Sequence, residues 1–367
     1  MLISDIIKHL ETLFPKSLAY DKDPIGLHIG NPGAPLIKAL VTLDVTLDVV
    51  MEAIDMGANL IVAHHPFIYR PLKFIDTRTE KGRVVEKCLQ HGIAIYAMHT
   101  NYDIAKNGMN DVLASGLGLT NARPLSITKV EEYIKLAIFA PESHAEIVRQ
   151  AMGDAGIGHL GDYSHCTFTS EGTGRFIPLA GSQPFIGTTG GSESVAEVKI
   201  EGIALKKDIH KILSQVLKTH PYEEPAYDVF PIAAPKDGEV FGLGRVGDIP
   251  AAVPIKEYIQ LAKKSLGISY ARFSGNLDQT VTTVAVVGGS GSSFMADAKK
   301  AGADLYITGD MGFHDAHDAL EMGLNVLDVG HYAESMMKHH VAGLLQKEFG
   351  TKDVLASQIA TDPFQLV

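Results

Sequence analysis

Leu60-Ile61-Val62-Ala63-His64-His65-Pro66 is the stretch on which the reading of the whole chain turns. Four apolar residues, enough for a short buried strand, run straight into two imidazoles and a proline. An apolar run at 39–43 and an amphipathic helical stretch from Thr46 to Met56 precede it. A second helical stretch from Lys81 to Gln90 follows, then an apolar run at 93–98 and the start of another helix at 110–117. Strand–helix–strand alternation implies right-handed crossovers and a largely parallel sheet. Ligands of such sheets gather outside the carboxyl ends of the strands, which is where His64 and His65 stand.

The same grammar returns near the C-terminus. Residues 281–287 read as a strand, followed by Gly288-Gly289-Ser290-Gly291 and a helix from about Ser293. Strands at 304–308 and 325–329 and a helix at 334–347 complete it. Met56-Gly57-Ala58-Asn59-Leu60-Ile61 matches Ala301-Gly302-Ala303-Asp304-Leu305-Tyr306 at an offset of 245. His91-Gly92-Ile93-Ala94-Ile95 matches Met322-Gly323-Leu324-Asn325-Val326 at an offset of 231. The change of offset places an extra loop in the first copy, including Pro66 to Thr79, and the second offset carries Asp103 onto Glu334.

Between the copies the texture changes. From about Glu131 to Ile232 the order reads strand (133–139), helix (143–155), a polar glycine-rich stretch holding strand-like pieces, strand (195–203), helix (207–219) and strand (226–232). That β-α-β-β-α-β order is the ferredoxin-like pattern. The expected fold is a discontinuous two-copy α/β domain, 1–128 and 241–367, with central mostly parallel sheets. An inserted ferredoxin-like α+β domain at 129–240 interrupts it, and residues 233–239 serve as the return linker.

Composition bounds the chemistry. The 367 residues suit two domains, each with its own core. With 16 His against 2 Cys, a metal site must be built from imidazole and carboxylate, because Cys88 and Cys166 cannot form a disulfide scaffold or a four-thiolate site. A net charge of −11 argues against a general nucleic-acid binder. The N-terminal stretch 1–14 is amphipathic and lacks the cationic start and apolar core of a signal peptide. No apolar run is long enough to span a membrane. Cytoplasmic location is the simple expectation.

Two further strand ends carry ligand chemistry. The run at 93–98 ends in His99-Thr100-Asn101-Tyr102-Asp103, where Asp103 could equally cap a helix. The run at 325–329 ends in Gly330-His331-Tyr332-Ala333-Glu334, where Glu334 could equally offset a helix dipole. The coincidence of three such ends favours a metal site. Three His and two carboxylates exceed one open tetrahedral zinc ion and suit two ions with a bridging carboxylate. Zinc comes first, with iron, manganese or cobalt compatible with the same donors. Such a site keeps net positive charge and would attract an anionic small molecule, to which Arg70, Lys73 and Arg78 could add unless they only solvate a loop. Asp310, His314 and His317 are candidates to support the site or move protons, as is His99. The glycine run at 288–291 reads better as a tight turn than as a phosphate cradle. In the insert, His159, His165, His220, Glu223 and Glu224 carry no metal spacing, and Cys166 beside His165 is weak support for a nucleophile.

Taken together, Ala63-His64-His65-Pro66, Met98-His99-Thr100-Asn101-Tyr102-Asp103, Thr308-Gly309-Asp310 and Gly330-His331-Tyr332-Ala333-Glu334 resemble the NIF-three-like dinuclear-metal proteins, the GTP cyclohydrolase I type 2 homologues. Asp23-Pro24-Ile25-Gly26-Leu27 and Thr361-Asp362-Pro363-Phe364 fit the same pattern. Within the insert, the stretch 158–166, Gly172-Thr173-Gly174-Arg175-Phe176 and His220-Pro221-Tyr222-Glu223-Glu224 resemble the middle domain of the long bacterial members, which is similar to PII and CutA-like folds. The resemblance implies a toroidal homohexamer and two divalent metal ions per subunit. The implied ligands are His64, His65, Asp103, His331 and Glu334, with Glu334 as bridge. It further implies a hydrolase acting on a purine nucleotide, in which metal-bound hydroxide attacks C8 of the base. The alternative is a regulatory metal-binding assembly whose insert senses a ligand. One departure stands out: Gly312-Phe313-His314-Asp315-Ala316 replaces the Lys-His-His-Asp-Ala of some relatives, which bears on substrate contacts and leaves the five implied ligands intact.

Overall fold

The computed structural model describes residues 1–233, 238–350 and 352–365. Most of the expected return linker, 234–237, lies outside them. The chain divides into two compact units, Met1–Lys129 with Phe241–Val367, and Val130–Val240.

The first unit is built on two sheets. One has the order β1-β4-β3-β2-β15, from β1 (Gly26–Ile29), β2 (Ala39–Thr42), β3 (Leu60–Ala63), β4 (Ala94–Ala97) and β15 (Val354–Ala356). Strands β15, β2, β3 and β4 are parallel, with Val41 beside Val62 and Val62 beside Tyr96, while β1 runs antiparallel along β4. Every residue of β2, β3 and β4 is buried, the reason their sequences are unbroken apolar runs rather than alternations. One face packs on α2 (Leu47–Met56) and α3 (Glu80–His91) through Leu40, Ile61 and Ile95. Both helices start on a threonine cap, Thr46 accepting from Val49 N and Thr79 from Gly82 N, and end on glycines in the left-handed region.

The second sheet has the order β11-β14-β13-β12-β10-β5, from β5 (Thr120–Val130), β10 (Val240–Pro254), β11 (Arg272–Ser274), β12 (Thr280–Ser290), β13 (Leu305–Gly309) and β14 (Asn325–Asp328). Here β12, β13 and β14 are parallel, with antiparallel β11 beside β14. The β1–β4 arrangement is thus repeated strand for strand. The expectation of mostly parallel sheets is met in the first sheet and, in the second, only at its β12–β13–β14 centre, since β10 joins β12 antiparallel. Gly242, Gly244 and Gly247 break the apolar pattern of β10, and a Cβ at Gly247 would meet the Thr120 carbonyl at 2.7 Å. Val41, Val62 and Tyr96 of the first sheet share a core with Val284, Ile307 and Leu327 of the second. To that core α1 (Ile3–Leu13) adds Ile3, Ile6 and Leu10, and α8 (Ile255–Leu266), α9 (Met295–Lys300), α10 (Phe313–Glu321) and α11 (Met337–Phe349) add their apolar faces.

The second unit runs β6 (Tyr133–Pro141), α6 (Ala145–Asp154), β7 (Phe168–Phe176), β8 (Glu193–Leu205), α7 (Ile209–Val216) and β9 (Tyr227–Ile232). Its antiparallel sheet has the order β7-β8-β6-β9. Leu136, Ile138, Val198 and Ile200 face Val148 and Met152 of α6 and Ile212 and Val216 of α7. Among the described residues, no helix is long and apolar enough to cross a membrane.

Candidate metal centre

The ladder beside β3 continues past its end, His64 N–H donating to Thr42 O and His65 N–H to Leu43 O. That pins both imidazoles at the carboxyl edge. Strand β4 turns at His99 into α4 (Thr100–Ile104), which carries Asp103, and α5 (Met109–Gly116) follows. The side chain of Asn110 donates to the Asp103 carbonyl and that of Asn101 to Phe14 O, so this short helix is held from both sides. After β14, residues His331–Met336 form a 3-10 turn. Side chains three apart eclipse in that geometry, which stacks His331 and Glu334 on one face.

The four histidines share one device. His64 Nδ1 donates to Met98 O at 2.9 Å, His65 Nδ1 to Asp44 Oδ1 at 2.6 Å, His331 Nδ1 to Asp310 Oδ2 at 2.6 Å and His99 Nδ1 to Asp23 Oδ1 at 2.9 Å. With Nδ1 committed, each ring is left with Nε2 as its free ligand atom. Those atoms converge. Glu334 Oε2 lies 3.2 Å from His65 Nε2, 3.3 Å from His331 Nε2 and 3.8 Å from His64 Nε2, and Asp103 Oδ1 lies 3.5 Å from His64 Nε2. Two groups able to hold a cation result, His65–His331–Glu334 and His64–Asp103–Glu334, joined through Glu334. A third, His64–His65–His99, brings His99 within the same reach. Gly288 and Gly289 leave room for the shared carboxylate, since a Cβ on either would come within 2.8 to 3.0 Å of Glu334 Oε1. The glycine run therefore lies at the end of β12, against the cluster.

The electrostatics of the cluster suit a cation. His64 Nε2 and Asp103 Oδ1 are buried and lack any hydrogen-bond partner among the described residues. Orphaned buried polar atoms are costly, and a cation between an imidazole lone pair and a carboxylate would satisfy both. Burial pushes the His64 imidazole down to about 3, a neutral donor at any physiological pH. Burial and repulsion from Glu334 hold the Asp103 carboxyl well above the usual range. Burial pulls the other way on His65, but hydrogen bonds to Asp44 and Glu334 lift it to about 10. Contact with Glu334 lifts His331 to about 9. Although burial opposes it, hydrogen bonds from His331 and His65 hold the Glu334 carboxyl well below its ordinary value. The residues present fit divalent metal.

A cavity of about 1110 Å³ opens onto His65 and His331, with Asp44, Asp310, Tyr270 and Phe364 among its walls. Arg272 also borders it, tied to Asp328. Arg70, Lys73 and Arg78 are not among its described walls, and the exposed Arg78 pairs with Asp76 at 2.7 Å. His314 stands exposed on α10 with its ring against Phe313, as does His317, and neither joins the cluster. In the 130–240 unit His165 turns to Asp154 rather than to Cys166, while burial pushes the Cys88 thiol up to about 12. Sequence reasoning gave no role to Asp44 and Asp23. Asp44 stands two residues past β2, the strand-end position that His65 holds after β3, so a signal existed; Asp23 figures only as part of the motif at 23–27, and nothing local ties it to His99, 76 residues away.

Comparison with known proteins gives a consistent picture. The profile of the family Duf34/NIF3 (NGG1p interacting factor 3) matches residues 1–363. A protein of Halalkalibacterium halodurans named GTP cyclohydrolase 1 type 2 homolog is 45% identical over 366 residues, covering 99% of this chain and 98% of the relative. A Bacillus subtilis protein of the same name is 45% identical over 364 residues, covering 98% and 97%. The crystal structure of a Bacillus cereus protein related to NIF3 superposes with a TM-score of 0.89 at 46% identity, over 100% of this chain and 99% of that one.

Proposed function

The chain belongs to the Duf34/NIF3 family, and on that premise we propose that it is a dinuclear metal protein acting as a metal-dependent hydrolase on a purine nucleotide. The ligands are His64, His65, Asp103 and His331, with Glu334 bridging. The observation that carries this reading is the placement of Glu334 Oε2 within 3.2 to 3.8 Å of three imidazole nitrogens, beside the orphaned His64–Asp103 pair. Divalent ions bound there supply Lewis acidity and a lowered water pKa. The remaining steps fall to the chain itself. Asp44 and Asp310 keep the His65 and His331 rings oriented. His99, held by Asp23, presents its free nitrogen beside His64 and His65 and is placed to move a proton. Tyr270 and Phe364 offer aromatic walls to a base. The name carried by the relatives makes GTP the first substrate to test.

Metal analysis of the purified protein beside a His65→Ala, Glu334→Ala double variant tests the centre; equal metal in both sinks it. Metal-loaded protein incubated with GTP tests the reaction by release of formate and a fluorescent pterin. A persistent blank there removes GTP and favours a second reading, a regulatory metal-binding assembly whose 130–240 unit senses a ligand. A cavity of that unit's own supports this alternative. We read the unit as ferredoxin-like, PII/CutA-like, on its β-α-β-β-α-β order, and the assembly as a cytoplasmic homohexamer, for which a monomeric native mass would be the contrary result.

A further inference from the structure

We propose that the 130–240 unit holds a ligand site of its own, an aromatic-walled cavity around Glu197 that takes a small organic ammonium ion. The inference extends the reading in which this unit senses a ligand, and it stands apart from whatever the metal centre does.

The cavity measures about 950 Å³. Strand register puts Gly172 opposite Glu197, and Lys199 opposite both Ser170 and Phe139, so these residues share one face. The neighbouring Val198 and Ile200 point the other way, into the core beneath α6 and α7. The site therefore lies on the face the helices leave free. Tyr222 anchors its walls, with its ring 5.9 Å from Phe176 at 63° and 6.3 Å from Phe185 at 50°. Tilted rings around a common space present π faces to whatever sits between them.

Glu197 gives the cavity its sign. It is only 9% exposed, yet among the described residues its side chain takes one hydrogen bond, from Tyr222 Oη to Oε1 at 2.8 Å. No described Lys or Arg forms an ion pair with it, and Lys199 is engaged by Glu201 at 2.9 Å. His220 cannot supply the charge. Its Nε2 donates to Phe139 O at 2.9 Å while its Nδ1 accepts from Tyr222 N–H at 3.1 Å, which fixes the neutral tautomer. Gly174 lies beside the carboxylate, where a Cβ would fall 2.2 Å from Oε2, so a glycine there leaves that oxygen uncovered. Around the rim Glu171, Glu223 and Glu224 outnumber the exposed Arg175. Tyr222 satisfies one oxygen of this carboxylate, but no described cation offsets its charge, and an ammonium group resting on the rings would supply that countercharge. An anion would meet an excess of carboxylates, and a neutral apolar ligand would leave Glu197 unpaired.

Calorimetric titration of the full-length protein with choline, putrescine and, as the charge-inverted control, acetate tests the site. Saturable binding of choline or putrescine is expected, weakened about tenfold or more by Glu197→Gln, which preserves the acceptor for Tyr222. Phe185→Ala, at a half-exposed ring, is expected to weaken it severalfold with metal content unchanged. If Glu197→Gln fails to fold, Phe185→Ala decides, and binding that it leaves untouched overturns the site. Ammonium binding indifferent to Glu197→Gln overturns it as well. Acetate binding in place of the cations overturns the ammonium class and leaves a sensing role for the unit; silence from all three probes overturns both.

Discussion

At the scale of single residues, the centre depends on who holds the far nitrogen of each histidine. Asp44 and Asp310 make the same 2.6 Å contact to His65 and His331. Removing either charge while keeping the shape frees a ring to turn its ligand atom away. Asp44→Asn is therefore expected to weaken metal affinity about 10–100-fold with the fold intact, read by competition against a chromogenic chelator. Proton linkage gives a second prediction. With His65 at about 10 and His331 at about 9 in the metal-free protein, metal must displace protons near neutrality, so a weakly buffered titration should show acid release on loading, and affinity should rise with pH. The same raised values stabilise the metal-free fold fully below the ordinary 6.5, and that contribution is lost as pH rises through about 9 to 10. A chelated sample whose melting temperature climbs across that range would contradict the assignment.

At the scale of elements, short pieces carry the candidate ligands and depend on their neighbours. Helix α4 has five residues, too few to persist unaided. Its exit is fixed at Gly108, where a Cβ would come 1.9 Å from the Tyr102 carbonyl. Gly108→Ala is expected to cost about 1–3 kcal/mol by overpacking and to lower metal content by shifting Asp103, checked by denaturant unfolding and metal analysis of the same preparation. Legibility in the sequence follows element by element. Strands β2, β3 and β4 were readable because burial on both faces demands unbroken apolar runs, and α2 and α3 because threonine caps and terminal glycines bracket them. Helices α8 and α10 went unassigned, although α8 buries Ile255, Tyr258, Ile259, Ala262 and Leu266 at helical spacing. Strands β1, β5, β10, β11 and β15 went unassigned too. They pair at or near sheet edges, are short, half-exposed or interrupted by glycine, and take their conformation from partners far along the chain.

At the scale of the whole molecule, two separate cores imply separable stabilities. The Val130–Val240 unit has its own apolar cluster, and the candidate ligands all belong to the other unit. Metal that binds only the folded state should stabilise that other unit by about 2.7 kcal/mol at a hundredfold excess over its dissociation constant. Scanning calorimetry is then expected to resolve two transitions, with chelation lowering one and sparing the second; a uniform shift of both would count against independent cores.

By itself the sequence determined the repeated strand–helix grammar, the two-copy organisation and the strand ends at which His64, His65, Asp103, His331 and Glu334 stand, because burial and helix period are local demands that each segment must meet alone. Only the tertiary structure decided that these ends converge on one carboxylate, that Asp23 and Asp44 hold their histidines, that Gly288 and Gly289 open space for Glu334, and that the buried Glu197 meets no Lys or Arg ion-pair partner among the described residues. Such facts rest on contacts spanning up to 269 residues, and separation along a chain holds no record of distance in space.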